Sequence, residues 1–326
     1  MRWLVLALGV IAQSSFGLSL GPASPFNLLV LEDMHGQNSD VEGRLAVGGD
    51  LSLTHYAVGM ELTDAADFTA TLIVGGHLSF THGRVYHGNA VSSSAALAHV
   101  GFYDRDPGSP TGQPRLGSAL NFTALTQDVR ARSLSWSELA PNGKVRIEGD
   151  AVNWRLYLTG QDLGLNVFTL TSDLLVGTDT FYLDAPLSST VLINVAGDFG
   201  ELSDFGFYRK VDGGWLRVPD NSERSRHDGS LTQKVLFNFF SATALNIHAI
   251  GVKGSVLAPW AEVVFYNAHI DGQLIAKSLR TPSGQPTGQV NLYPFIPEPG
   301  ILWLLLLPLA WLLIRSQKTG LPANRR

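Results

Sequence analysis

Leu45-Ala46-Val47-Gly48-Gly49-Asp50-Leu51-Ser52-Leu53 returns 27 residues later as Leu72-Ile73-Val74-Gly75-Gly76-His77-Leu78-Ser79-Phe80. Each copy is a short apolar strand, a Gly-Gly corner, and a second strand in which apolar and polar residues alternate. Glycine suits a corner because, without a Cβ, it takes φ > 0 freely. An Asp after the pair can close the turn on nearby amides. Fainter echoes occur at Ile147-Glu148-Gly149-Asp150-Ala151-Val152 and at Val195-Ala196-Gly197-Asp198-Phe199. Short strands with glycine corners at a fixed period predict an all-β fold, a right-handed β-solenoid in which each coil stacks on the next. The Gly-Gly-Asp corner does not read as a metal or phosphate loop. His77 stands where the first copy has Asp50, and no lysine follows at phosphate-loop spacing.

Working outward, the N-terminal block opens with a strand at Phe26 to Leu31, followed by the polar segment Glu32 to Ser39. A second strand-rich block runs from Val235 to Leu279, broken by Ser-Ala-Thr, Gly-Val-Lys-Gly, Ala-Pro and Asp-Gly corners. One segment has a different period. From Ser118 to Ala140 the apolar residues Phe122, Leu125, Val129, Trp136 and Leu139 mark one face of a helix, capped by Ser118 and stopped by Pro141-Asn142-Gly143. This one long helix is expected to lie along the solenoid flank.

Composition narrows the class. Charged residues make up 16% of the chain and the formal net charge is −5, which argues against nucleic acid as a partner. There are 34 glycines and no cysteine, so disulfides, thiol catalysis and cysteine-based zinc sites are excluded.

Both ends carry an address. Met1-Arg2, the apolar run Trp3 to Ala12 and the small residues Ser14, Ser15 and Gly17 make residues 1–17 a secretory signal peptide. At the other end Pro297-Glu298-Pro299 precedes an apolar run from Ile301 to Ile314 and a basic tail of Arg315, Lys318, Arg325 and Arg326. As a helix the 15 residues 300–314 would span roughly 22 Å at 1.5 Å per residue, against a bilayer core of about 30 Å. This predicts a marginal C-terminal transmembrane segment with a cytoplasmic tail. Residues 294–326 resemble a PEP-CTERM sorting signal. The resemblance implies an exosortase-type processing enzyme as partner, transient or stable attachment to the inner membrane, and Pro297, Glu298, Pro299 and Arg315 as the residues of the signal.

No catalytic constellation stands out. His77, His82 and His87 are five residues apart, which on a strand alternates faces and cannot build a metal site. No Gly-x-Ser-x-Gly elbow is present, and Ser92-Ser93-Ser94 reads as a coil edge. Carboxylates are scattered, with nothing to single out a glycosidase pair. Thr169, Thr171, Thr178 and Thr180 do not make a sustained threonine array. Tyr56, Tyr86, Phe102, Tyr103, Trp154, Tyr157 and Trp215 could stack on sugars but read mainly as packing.

Four stretches carry a further resemblance. They are Phe26-Asn27-Leu28 with Asn38 to Arg44, the Ala46 to Asp50 corner, Val235 to Phe239, and Gly254 to Pro259 with Gly272 to Ala276. Together they resemble the choice-of-anchor A family, related in shape to ice-binding-like adhesive β-helices. The resemblance covers roughly Phe26 to Leu279 and implies an adhesive or structural surface domain over residues 18–293. The expected protein is therefore exported, without enzymatic activity, metal or cofactor, and acts at the cell surface or in the extracellular matrix, with extracellular polysaccharide as a candidate partner. The alternative is a carbohydrate-active enzyme or carbohydrate-binding protein acting on exopolysaccharide.

Overall fold

The computed structural model describes residues 18–62, 70–103, 112–150, 153–218 and 227–297. The expected signal peptide, residues Glu298, Pro299 and Arg315 of the sorting signal, and the apolar run between 301 and 314 lie outside the described residues. Leu20–Ile296 form one compact unit.

Among the described residues, twenty-two strands arrange into a 17-stranded and a 5-stranded sheet. The large sheet is built from parallel ladders. The first stacks Pro114–Leu116, Asn89–Tyr103, Ala70–Tyr86, Leu45–Val47, Leu28–Val30, Leu274–Arg280, Ser255–Tyr266, Val235–Asn238, Thr190–Ala196 and Leu165–Thr171. Longer strands bend and enter a second ladder, where Ala244–His248, Ser255–Tyr266, Leu274–Arg280, Met34–Val41, Leu51–Val58 and Ala70–Tyr86 follow one another. A third ladder sets Gly251–Lys253, His269–Gly272 and Gln289–Leu292 side by side.

The 27-residue repeat is this stacking seen in sequence. Leu45 lies beside Leu72, Val47 beside Val74 and Leu51 beside Leu78, all buried. Inward Leu, Val, Ile and Phe from all three ladders form one apolar core.

The expected right-handed β-solenoid with one long helix is corrected on several counts, and the expected C-terminal transmembrane segment falls on residues outside the described ones. Stacking does not follow the chain: Leu28–Val30 lies between Leu45–Val47 and the late strand Leu274–Arg280. The parallel pairings then close on themselves. From Leu28–Val30 they pass through Leu45–Val47, Ala70–Tyr86, Leu51–Val58, Met34–Val41 and Leu274–Arg280 and return to the start, a closed ring of six strands with outer strands added. A corner period reports which residues turn, not which strand will insert between which. Residues 144–217 also leave the large sheet several times to build a separate sheet with antiparallel edges. There are two α-helices among the described residues, Phe122–Ser137 and the short Ser172–Val176, and no helix there is long and apolar enough to cross a membrane.

The longer helix is shorter than the periodicity suggests. Asn121, not Ser118, caps it by accepting the Ala124 N–H at 3.0 Å, and Leu139 falls outside it, partly exposed. Leu125, Val129 and Trp136 bury its apolar face. A polar seam also holds it. Ser133 donates to Asn238 Oδ1 at 2.5 Å, Asn238 donates to Asn194 Oδ1, and Asn194 donates to the Trp136 carbonyl.

The repeated glycines have a reason other than the one expected. Neither Gly48-Gly49 nor Gly75-Gly76 adopts a positive φ. A Cβ on Gly48 would lie 2.1 Å from the Leu31 carbonyl oxygen, and one on Gly75 2.2 Å from that of Gly48. Stacked corners leave no room for a side chain. Asp50 likewise serves the next corner rather than its own, accepting the His77 N–H at 2.7 Å, just as Asp33 accepts that of Asp50.

Candidate functional site

The 5-stranded sheet carries the most distinctive surface. Its order is Gly214–Arg217, Gly206–Val211, Thr178–Asp184, Trp154–Thr159 and Lys144–Glu148. Inward residues Leu156, Leu158, Phe181, Leu183, Phe207 and Arg209 are buried, so the alternate residues face outward. The registers align them in rows. One row reads Arg146, Tyr157, Tyr182, Tyr208, Arg217, and its neighbour reads Lys144, Thr159, Asp184, Lys210, Trp215.

In the first row the three tyrosine rings stack, with centroids 4.6 and 4.9 Å apart. The Arg146 guanidinium lies 4.2 Å from the Tyr157 centroid and caps one end of the stack. Trp215 sits edge-on to Tyr157 and Tyr182, with Lys210 over its ring at 5.2 Å. Because the rings stack on one another, they offer solvent their edges, the electropositive part of an aromatic ring. Lys144, Arg146, Arg155, Lys210 and Arg217 line this face against the carboxylates Glu148 and Asp184, which pair with Arg146 and Lys210. Beneath it Arg209 is buried; desolvation lowers its pKa to about 10, so it remains cationic at neutral pH. The surface is thus aromatic and net cationic on a chain whose formal charge is −5.

The sequence alone singles out Tyr157 and Trp215 but not Tyr182 and Tyr208. A signal exists for them. Leu156-Tyr157, Phe181-Tyr182 and Phe207-Tyr208 repeat an apolar–Tyr pair at nearly constant spacing. The other aromatics divide: Tyr56 is buried, Tyr86, Phe102 and Trp154 are half-buried, and Tyr103 is 43% exposed.

A second region lies at the corner that follows the second ladder. His55, His82 and His99 stack there, with ring centroids 4.9 and 4.8 Å apart. All three have φ between 50° and 56°, as does Asn38 in the preceding strand at 52°. They are left-handed corner residues repeated from strand to strand. The expected spread of His77, His82 and His87 is seen: His77 meets Ser94 Oγ at 2.8 Å, while His87 is buried elsewhere. Parallel rings one strand spacing apart do not converge their nitrogens on a metal. A cavity of about 520 Å³ beside the column is lined, among the described residues, by Tyr86, Arg84, Tyr103 and the histidines and by no carboxylate. The adjoining face holds rows of short uncharged residues, Ser52–Ser79–Ala96 and Thr54–Thr81–Ala98, a pattern that the isolated threonine pairs in the sequence do not reveal.

The third ladder holds a buried polar cluster. Its register places Lys253, Asp271 and Asn291 in line. Lys253 Nζ lies 2.5 Å from Asp271 Oδ2, both side chains being fully buried. Among the described residues, His227, His269 and Asp271 are the one group whose ligand atoms lie close enough together, within 4.8 Å, for a metal. The Lys253 ammonium already occupies the cation position against Asp271, so a divalent ion would have to displace it. The residues present do not fit a metal centre. Nearby, burial raises the Glu42 carboxyl to about pKa 7, opposed by the Leu292 N–H it accepts at 2.7 Å and reinforced by Asp40, Glu61 and Asp271.

The model of a family described as an ice-binding-like adhesive domain matches residues 19–289. Solved structures match the chain at low similarity. An ice-binding protein from the Antarctic ascomycete Antarctomyces psychrotrophicus is 14% identical, with 85% of this chain and 98% of that one covered and a TM-score of 0.41. A glycosylated ice-binding protein from an Arctic yeast is 15% identical, with 88% and 98% covered and a TM-score of 0.36. An ice-binding protein domain from Shewanella frigidimarina is 12% identical, with 84% and 95% covered and a TM-score of 0.29. No curated protein matches the chain.

Proposed function

Since the chain belongs to the ice-binding-like adhesive domain family, which is not a family of enzymes, we propose that it is an exported surface or matrix protein that adheres to anionic polysaccharide. The outer face of the 5-stranded sheet makes the contact. One observation carries this reading: a stacked Tyr157–Tyr182–Tyr208 column flanked by Arg146 and Arg217, on an otherwise acidic chain. The rings give the face rigidity and present positive edges. Guanidinium and ammonium groups pair with carboxylates of a polymer, and Arg can do so with two parallel hydrogen bonds. Repetition along the polymer turns weak single contacts into firm attachment. Two carboxylates, Asp184 and Asp212, line a cavity of about 420 Å³ at the edge of the face. Asp184 is engaged by Lys210 at 3.1 Å, which favours binding over glycoside hydrolysis.

Residues 1–17 direct export in this reading. An exosortase-type enzyme processes the chain at the signal formed by Pro297, Glu298, Pro299 and the basic tail from Arg315. Replacing Glu298 with Ala is expected to leave unprocessed precursor in cells; normal processing of that variant would remove the sorting part of the proposal.

Adhesion is tested by retention of the purified domain on alginate, an acidic polysaccharide, against neutral dextran. Retention on alginate that weakens with salt and falls at least tenfold for Tyr182→Ala or Arg146→Ala is the expected result. Equal retention on dextran, indifference to both substitutions, or preferential capture by single-stranded DNA of equal charge would overturn it.

A further inference from the structure

We propose that Lys253 and Asp271 become joined by an intramolecular isopeptide bond once the domain has folded. This inference stands apart from the adhesive reading and rests on the third ladder. There Lys253 on strand Gly251–Lys253 faces Asp271 on His269–Gly272, and Asp271 faces Asn291 on Gln289–Leu292.

The two oxygens of Asp271 are placed differently. Oδ2 lies 2.5 Å from Lys253 Nζ, and Oδ1 accepts the Asn291 side-chain N–H at 2.5 Å. The Lys253 and Asp271 side chains are fully buried, and Asn291 is buried with them. Water that would compete for either group is excluded, and the direct Nζ–Oδ2 contact is the path along which the first step passes a proton to Oδ2 and frees the amine lone pair. Cγ is one bond beyond Oδ2, so the amine nitrogen is held against its electrophile, as intramolecular reaction requires.

The chemistry balances without a cofactor. The Nζ lone pair attacks Cγ and the Nζ–Cγ bond forms, while the carbonyl electron pair moves onto Oδ1. The Asn291 N–H stabilises that developing oxyanion. A second proton leaves Nζ for Oδ2, the carbonyl re-forms, the Cγ–Oδ2 bond breaks and one water departs. His269 Nε2 lies 3.9 Å from Oδ2 and His227 Nδ1 3.9 Å from Oδ1, positions from which an imidazole can carry that proton. The product is a neutral amide replacing two buried charges. It also gives a chain without cysteine a covalent link between neighbouring strands.

The test is peptide mapping of the purified protein by tandem mass spectrometry, with intact mass measured against termini determined on the same sample. A branched peptide joining positions 253 and 271, and a mass lower by one water, are expected. Lys253→Met and Asp271→Ala should restore the full mass, and Asn291→Ala should leave a mixture of linked and unlinked chains. If a variant does not fold, the unaltered protein still decides the matter. A full mass with only linear peptides in folded protein would reduce Lys253–Asp271 to a buried ion pair and overturn the proposal, whatever the domain binds.

Discussion

Residues 34–103 and residues 144–217 build on the same backbone device, parallel strands in register, and present opposite surfaces. The first region turns Ser52, Ser79, Thr54, Thr81, Ala96 and Ala98 outward, with stacked histidines along one corner. The second turns outward three stacked tyrosines, a tryptophan and the flanking cations. The core positions of the two regions are interchangeable in kind, since Leu, Val and Phe fill both. Strand stacking therefore fixes where side chains line up and leaves open what they are. Function in such a fold belongs to whichever row carries chemistry, and the second region has the stronger claim.

The largest expected effect breaks the first region at its corner. A Cβ at Gly75 would meet the Gly48 carbonyl oxygen at 2.2 Å, a backbone atom that cannot swing aside. Gly75→Ala should destabilise the domain by about 3 kcal/mol, as overpacking of a tight site does. Gly213, at the hairpin of the second region, has φ +80°, and a Cβ added there would find open space, with no atom within 4 Å. At that position Gly→Ala should cost only about 1–2 kcal/mol, from backbone strain alone. Denaturant unfolding of both variants checks the order. An equal cost at the two sites would mean that corner packing is not what the repeated glycines serve.

That contrast also shows what could be read from the sequence. The 27-residue repeat is visible because Leu45, Val47 and Leu51 need partners of the same kind one strand away, at Leu72, Val74 and Leu78. The reason for its glycines is not, because nothing local reveals a neighbour's carbonyl. The helix shows through its period, yet its cap falls at Asn121, where the side chain reaches the Ala124 amide. The insertion of Leu28–Val30 beside Leu274–Arg280 joins residues nearly the whole chain apart and leaves no periodic trace. The candidate face is half legible. Tyr157 and Trp215 can be named as aromatics, but a row exists only once the register sets Tyr182 between Tyr157 and Tyr208. The histidines mislead in the opposite sense. His77, His82 and His87 look like a set in sequence, whereas His82 has its true partners in His55 and His99.

The next effect sharpens the comparison of surfaces. Tyr182 is stacked on both sides, so Tyr182→Ala removes two ring contacts and the rigidity of the row. Loss of about 2 kcal/mol in polysaccharide affinity is expected, the scale of the two ring pairs that hold the row in order. Thr81→Val in the first region should leave the same affinity unchanged. Equilibrium binding of the two variants measures this, and parity between them would erase the functional difference drawn between the regions.

Charge separates the regions in a further way. The cations on the outer face of the second region meet solvent, whereas Glu42, just past strand Met34–Val41, has its carboxyl raised by burial to about pKa 7. A folded-state pKa above the unfolded one means the contribution is complete below about pH 4.5 and is lost as pH rises through about 7. Wild-type stability should therefore fall across that window, by about 1–2 kcal/mol once partial exposure is allowed for. Glu42→Gln keeps an acceptor for the Leu292 N–H and removes the charge, so its stability should be flat over the same range. Thermal melts from about pH 4.5 to 7.5 test it; an identical slope in the variant would assign the pH dependence to other groups.

The smallest effect asks what the histidine column is for. His82 stacks on His55 and on His99, which favours keeping it, but it does so at φ 52°, which favours glycine. Each ring contact is worth about 0.5–1.5 kcal/mol. Relief of the left-handed strain returns about 1–2 kcal/mol, and the extra freedom of glycine in the unfolded chain takes back about 0.5–1 kcal/mol. These partly cancel, so His82→Gly should cost about 1 kcal/mol. His82→Val keeps none of the stacking and adds a β-branched side chain at a positive φ, so it should cost clearly more. If both variants lose the same large amount, the stack holds the corner and the column is a structural staple. If only the valine variant suffers, the corner conformation is the constraint, and histidine occupies it as one of the residues that tolerate that turn.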